Sequence, residues 1–336
     1  MTITVAEGEA FAARWLKAQA DGFHNGKNNH KQTMQGLVAD NMKWSWSDGN
    51  QGKGNSSILF DVISNTWGSL VSEWMYEKPF VCVDTDASEV IMMLHLTVNV
   101  SGGLPNETNL FQANEAQRIK LNDDMKVTYW KAVWDNNEDP EAQKAIKKVL
   151  SKLGKELPPA AAAPFTTNEG EAYANDFLEA FSAGFKKNNH SETIRKFYSS
   201  GKMSWEWSDG SKGEGTVDDY MDLLTSTWGP LVDSWLYSTP HIVVDPANAL
   251  VILGVHAFVN ITGGFADENN PVQSKIVMAF HLDRDMKCFK TAGSWDNNET
   301  TLKATLQKIQ NRIEAESKAS QGVGMQAMAQ AKLTGQ

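Results

Sequence analysis

The feature that most constrains this chain is an internal repeat. "GEAFAARWLKAQADGF" near the start returns as "GEAYANDFLEAFSAGF", and "MKWSWSDGNQGK" returns as "MSWEWSDGSKGE". "SNTWGSLVSEWMYEKPFVCVD" matches "TSTWGPLVDSWLYSTPHIVVD", "HLTVNVSGG" matches "HAFVNITGG", and "VWDNNE" matches "SWDNNE". Trp44 and Trp205, His95 and His256, and Trp134 and Trp295 each stand 161 residues apart. The order is collinear over about residues 8–150 and 170–312, which is a tandem duplication of one domain of ordinary size. The fold must therefore be one that each copy can complete.

The duplication sets the expected organisation. Residues 1–153 form the first copy and 170–312 the second. Residues 154–169 form a Pro/Ala-rich linker, with Pro158, Pro159 and Pro164 around an Ala run that reads as semi-rigid. Residues 313–336 are small and polar with some Met, and read as a flexible tail.

Bulk properties narrow the function classes. Hydrophobic residues make up 41% and charged residues 21%, a globular composition. The formal net charge of −10 argues against nucleic acid and anionic membrane as partners, since phosphate binding needs clustered Lys and Arg. Cys82 and Cys288 alone make no disulfide framework, so a reducing compartment is expected. "MTITVAEGEAFAARWLK" has neither a basic nor an apolar signal region, and the best apolar run, "VIMMLHLTVNV", is too short to span a membrane. A cytoplasmic location is the expectation, with an organelle form whose targeting peptide has been removed left open.

Within one copy, Phe11, Trp15, Leu16 and Phe23 recur near helical spacing over residues 6–24. A short second helix is expected over 30–39, where Asn29 and Asn189 can cap free N–H groups. "MKWSWS" alternates as a strand with Trp44 and Trp46 on one face, and Asp48-Gly49 supplies turn chemistry. "NSSILFDVISNTW" starts with cap-like residues and continues at helical spacing. Strands follow at about 72–84, 89–101, 109–121 and 126–134, with a closing helix at 139–153. In "WDNNE", Asn137 or Asn298 is a candidate cap for the closing helix, with Glu138 or Glu299 near its dipole. Helices followed by a run of antiparallel strands make an α+β layout.

The N-terminal amphipathic helix and the unit "MKWSWSDGNQGKGNSSILFDVI" resemble the NTF2-like superfamily, and within it the SnoaL-like and ketosteroid isomerase-like proteins. The resemblance spans each repeat nearly whole. It implies two tandem cone-shaped domains, each a curved antiparallel sheet wrapped around N-terminal helices and enclosing an apolar pocket. It also implies sheet-to-sheet packing, so the two copies are expected to form a pseudo-dimer, with a further homodimer open.

Candidate site residues follow from both lines of reading. On the strand around His95, the face with Val90, Met92, Leu94, Leu96 and Val98 is apolar and should be packed. The face with His95 and Asn99, matched by His256 and Asn260, lines either a polar pocket or a polar interface. Each His is read as a ligand or proton-transfer group, or as an ordinary strand His with a hydrogen-bonding neighbour. Asp48 and Asp209 match, by resemblance, the general base of isomerase-like enzymes; the competing reading is a plain Asp-Gly turn. Trp44, Trp46, Trp74 and Trp134, with Trp205, Trp207, Trp235 and Trp295, are candidate pocket walls, whereas Trp67 and Trp228 read as core. A Trp-lined pocket suits a flat hydrophobic or aromatic molecule or, as a cage, a quaternary cation. The oxyanion pair of the isomerases it resembles is missing: near the family's first-helix Tyr this chain has Trp15 in one copy and Asp176 or Phe177 in the other, and Gln117 and Met278 stand near the family's later-strand Asp. No His spacing suits a metal and no cofactor is expected.

These residues support small-molecule binding or turnover of a cyclase, isomerase or dehydratase type. The alternatives are a non-catalytic binding protein, a scaffold or oligomerisation module, and an iota-type carbonic anhydrase-like protein. The last lacks its His-rich run here, since "TYWKAVWDNN" and "FKTAGSWDNN" contain no His.

Overall fold

The computed structural model describes residues 2–24, 27–104, 106–135, 140–152, 154, 163–186, 188–208, 210–296 and 300–334. Asp209, Pro158, Pro159, Asn137, Glu138, Asn298 and Glu299 lie outside the described residues.

The first copy runs α1 (Val5–Gly22), β1 (Phe23–His24), β2 (Lys27–Asn28), α2 (His30–Met34), β3 (Val38–Trp46), β4 (Gln51–Gly54) and α3 (Ser56–Asn65). It continues with β5 (Val71–Tyr76), β6 (Phe80–Asp84), β7 (Glu89–Val100), β8 (Leu110–Leu121), β9 (Val127–Trp134) and α4 (Pro140–Lys152). The second copy repeats the order among the described residues without counterparts of β1 and β2: α5 (Thr167–Phe185), α6 (His190–Thr193), β10 (Met203–Trp207), β11 (Lys212–Gly215) and α7 (Val217–Thr227). Then come β12 (Val232–Tyr237), β13 (His241–Asp245), β14 (Leu250–Ile261), β15 (Pro271–Leu282), β16 (Cys288–Trp295) and α8 (Thr300–Thr334).

Local chemistry sets the helix starts. The Thr4 hydroxyl accepts from the Glu7 N–H at 3.2 Å, and the Glu7 carboxylate accepts from the Thr4 N–H at 2.8 Å, a capping box at α1. Thr166 and Glu169 do the same for α5. At α2 the expected cap shifts by one residue: Asn29 makes no side-chain capping bond, and Asn28 Oδ1 accepts from the His30 N–H at 3.0 Å. In α6 Asn189 does accept from the Glu192 N–H. Helix α8 runs on to Thr334, into the segment read as a tail, where Ala, Gln, Lys and Glu are good helix formers.

Each copy builds one sheet on its helices. The first has nine strands, in the order β2-β1-β5-β7-β8-β9-β3-β4 with β6 also paired to β7. The second has seven, β11-β10-β16-β15-β14-β12 with β13 also paired to β14. Pairing is antiparallel with one departure per sheet: β3 lies parallel to β9, and β10 parallel to β16. Both strands of each pair are joined through a helix and several strands, the long connection that parallel pairing requires. Register shifts in β5/β7, β3/β9 and β8/β9 bend the sheet around the helices.

The two faces of each sheet have different roles. Met92, Leu94, Leu96 and Val98 pack inward in one core with Phe11, Trp15 and Leu16 of α1. Leu253, Val255 and Ala257 do so with Phe177 and Leu178 of α5. The outward faces meet each other. Phe80, Cys82, Ile91, Met93, Ala116 and Val133 pack on Val243, Leu250, Ile252 and Val277 in a third cluster between the copies. This seam is self-complementary, as an isologous interface is. Phe80 contacts the His256 ring at 5.1 Å, its counterpart His241 contacts His95 at 5.6 Å, and Phe80 and His241 meet at 5.2 Å.

Candidate functional site

The described parts of the "WSDG" turn match in the two copies. Gly49 and Gly210 both sit at φ +88°, where a residue with a side chain is strained. Asp48 is exposed; Oδ1 accepts from the Asn50 N–H at 2.9 Å and Oδ2 from the Trp67 indole N–H at 2.9 Å. Ser47 Oγ accepts from the Trp134 N–H, and Ser208 Oγ from the Trp295 N–H, each at 3.2 Å. Trp44 lies over Gly52, and Trp205 over Gly213, where a Cβ would collide with the indole. Trp44 and Trp205 are thus packed against their own hairpins and line neither cavity. Asp48 closes the turn and holds Trp67.

The His and Asn candidates are also placed away from the cavities. His95 is exposed at the seam, with Nδ1 2.6 Å from Asn114 Oδ1. His256 lies at the same seam on the other copy, and burial, chiefly, holds its pKa below the usual His value. Of the two readings of that strand face, the geometry is that of an interface. Asn99 Oδ1 accepts from the Asn109 N–H, and Asn260 Oδ1 from the Asn270 N–H, each at 2.9 Å, so both stitch the next strand onto theirs.

Each cone does enclose a cavity, and the two differ. The first copy holds one of about 370 Å³, walled by Trp46, Trp67, Trp74, Trp130 and Trp134 with Phe23, His30, Gln19, Glu115 and Asp135. The second holds about 90 Å³, walled by Phe181, Trp207, Trp228, Trp235, Ile276, Met278 and Trp295. Among the candidate aromatics, Trp46, Trp74, Trp134, Trp207, Trp235 and Trp295 do line cavities. Ligand sites generally occupy about 300–1,000 Å³, so only the first is of that size.

The difference has a residue-level cause. Strand β8 turns Ala113, Glu115, Gln117 and Ile119 inward; β15 turns Ser274, Ile276, Met278 and Phe280 inward at the same register. Glu115 therefore stands where Ile276 does, and Gln117 where Met278 does. On the first helices Trp15 matches Phe177 and Gln19 matches Phe181. The second copy fills its cone with carbon: Phe177 packs on Phe181 at 5.5 Å and on Phe280 at 4.7 Å, and Phe181 packs on Trp235 at 5.1 Å.

The first copy instead carries a buried polar network. The Trp15 indole N–H donates to Gln117 Oε1 at 2.8 Å, and Gln117 Nε2 donates to Gln19 Oε1 at 2.9 Å and to Glu115 Oε1 at 3.0 Å. The Gln117 side chain is satisfied on both ends, as a buried amide must be. Glu115 is 6% exposed, and burial pushes its pKa up to about 8, with the Asp135 charge adding to the rise and the Gln117 bond opposing it. Asp135, just past β9, is raised to about 6 by burial, against bonds donated by the Asn114 N–H at 2.9 Å and its amide at 3.4 Å. His30 is lowered to about 4 by burial and is neutral near pH 7.

Gln19, His30, Glu115 and Trp130 were missed by the sequence reading, and Trp67 and Trp228, read as core, are cavity walls. A signal was present: Glu115 and Gln117 stand where the second copy has Ile276 and Met278 in an inward apolar run that continues to Phe280. Asp135 carries less of that signal, because Asp296 recurs and accepts from the Lys275 N–H at 3.0 Å in the same way. Among the described residues no group of three His, Cys, Asp or Glu side chains is placed to hold a metal ion, and no helix is long and apolar enough to cross a membrane.

No family model matches the sequence, and no curated protein matches it. Among solved structures, a steroid delta-isomerase from Pseudomonas aeruginosa is similar at 13% identity, over 46% of this chain and 98% of that one, with a TM-score of 0.30. An NTF2-like protein from Burkholderia xenovorans LB400 is similar at 16% identity, over 40% of this chain and 93% of that one, also with a TM-score of 0.30. By its own element order and topology, with helices packed on a bent sheet twice over, this chain is a tandem pair of α+β cones.

Proposed function

We propose that the first copy is a small-molecule site and the second a filled structural partner. The observation that carries this reading is the divergence at matched positions: Gln19 and Glu115 line an open cavity, with Gln117 bonded to both behind them, where Phe181, Ile276 and Met278 close the other. Most Trp walls recur in both copies, as do the turn residues; what differs inside the two cones includes the polar set Gln19, Glu115 and Gln117 against Phe181, Ile276 and Met278.

Glu115 is the group that changes protonation as this site works. A carboxyl with a pKa near 8 is largely protonated at neutral pH, while Asp135, near 6, is largely ionised. Two carboxyls whose environments separate their pKa values form an acid–base pair. Glu115 would give a proton and Asp135 take one, which suits isomerase, cyclase or dehydratase chemistry. Binding without chemistry is the second reading, favoured by Asp135 already accepting from Asn114 as Asp296 does from Lys275.

The test is a titration with 2-naphthol, followed by quenching of Trp fluorescence. One equivalent per chain supports the reading. Two equivalents, or none, would sink it.

A further inference from the structure

The walls of the first cavity say which charge its ligand carries. The Nε1 atoms of Trp46, Trp130 and Trp134 are buried without a hydrogen-bond partner, and that of Trp67 is held by Asp48. What these four indoles turn toward the cavity is ring carbon, not N–H. Trp67 and Trp134 meet edge to face at 5.7 Å and 90°, and Trp46 and Trp130 at 5.0 Å and 67°, so the walls form two crossed pairs. The polar groups between them include Glu115 and Asp135, and among the described lining residues there is no Lys or Arg.

Indole faces attract cations through the ring quadrupole, and Trp does so best. Asp135, ionised near neutral pH, and Glu115 beside it face the cavity with no Lys or Arg among the described lining residues to balance them. We infer that the first cavity takes an organic cation, a quaternary ammonium or a protonated amine with a small apolar body, seated among Trp46, Trp67, Trp130 and Trp134 with Glu115 and Asp135 as counter-charges. The inference rests on the reading of this cavity as a ligand site. Glu115 need not be charged beforehand, because a cation nearby favours the ionised form of a carboxyl. The net charge of −10 draws such a ligand toward the molecule. The second copy keeps Trp207, Trp228 and Trp295 yet has Ile276 at the Glu115 position, so it has aromatic walls without that counter-charge.

The test compares two probes of nearly equal shape by calorimetry at pH 8: choline, which is cationic, and 3,3-dimethylbutan-1-ol, its neutral counterpart. Choline is expected to bind the full chain at least about tenfold more tightly. Glu115→Gln and Asp135→Asn are each expected to shrink that ratio. The ratio guards against a folding artefact, since a variant with a collapsed cavity loses both probes together. Equal or tighter binding of the alcohol overturns the inference while leaving the cavity reading standing. So does failure of both probes when 2-naphthol still binds; failure of all three removes both readings.

Discussion

Glu115 is the residue on which the account turns, and its cost to the fold is measurable. Burial raises its pKa from 4.5 to about 8, so the folded state holds that proton more tightly than the unfolded chain does. The stabilising contribution is complete below about pH 4.5 and is lost as pH rises through about 8, at up to about 1.4 kcal/mol per pH unit. Glu115→Gln has no such titration. Its melting temperature relative to the parent should climb between pH 5 and pH 8.5, as read by circular dichroism; a flat difference would mean Glu115 is not held neutral. Asp48 teaches the opposite lesson. Its turn role was legible in "SDG" because Asp-Gly chemistry is local, but its bond to Trp67, nineteen positions on, depends on where α3 ends.

At the scale of elements, β8 and β15 carry the contrast. Both are twelve-residue strands with the same register against β7 and β14. Helix and strand positions were readable from periodicity, because an amphipathic α1 and an alternating β3 each expose one face to solvent or seam. The parallel placement of β3 on β9 was not readable, since it depends on how the whole sheet closes. Nor was it readable which face of β7 points into the cone, since both faces are buried along its first half. On β8 the polar break was visible, but its partners Trp15 and Gln19 come from another element. Gln117 is tolerated because three groups satisfy it; Met278 sits among Phe177, Phe181 and Ile276, none of which can. Met278→Gln should therefore cost about 2–3 kcal/mol of stability, measured by urea unfolding, as an unsatisfied buried amide does. A cost near zero would show that the second cone admits water and is not filled.

The whole molecule is two cones set back to back through an apolar seam. Duplication was plain in the sequence, and so was the expectation that the sheets would meet. What periodicity could not say was which side of the sheet His95 and His256 take; their rings lie against His241 and Phe80 in the seam because β6 and β13 bring those residues across it. Each cavity is walled mostly by its own copy, with Thr167 and Asn168 of α5 reaching the first, so the two can diverge separately. The two differ by four inward side chains, Trp15, Gln19, Glu115 and Gln117 against Phe177, Phe181, Ile276 and Met278. The most direct measurement repeats the 2-naphthol titration on a chain carrying Trp15→Phe, Gln19→Phe, Glu115→Ile and Gln117→Met, which gives the first cone the residues of the second. The account predicts a folded protein whose affinity falls at least about tenfold, the filled cone having lost its cavity. Binding at parental strength by that folded variant would contradict it, because the open cavity would then not depend on these residues.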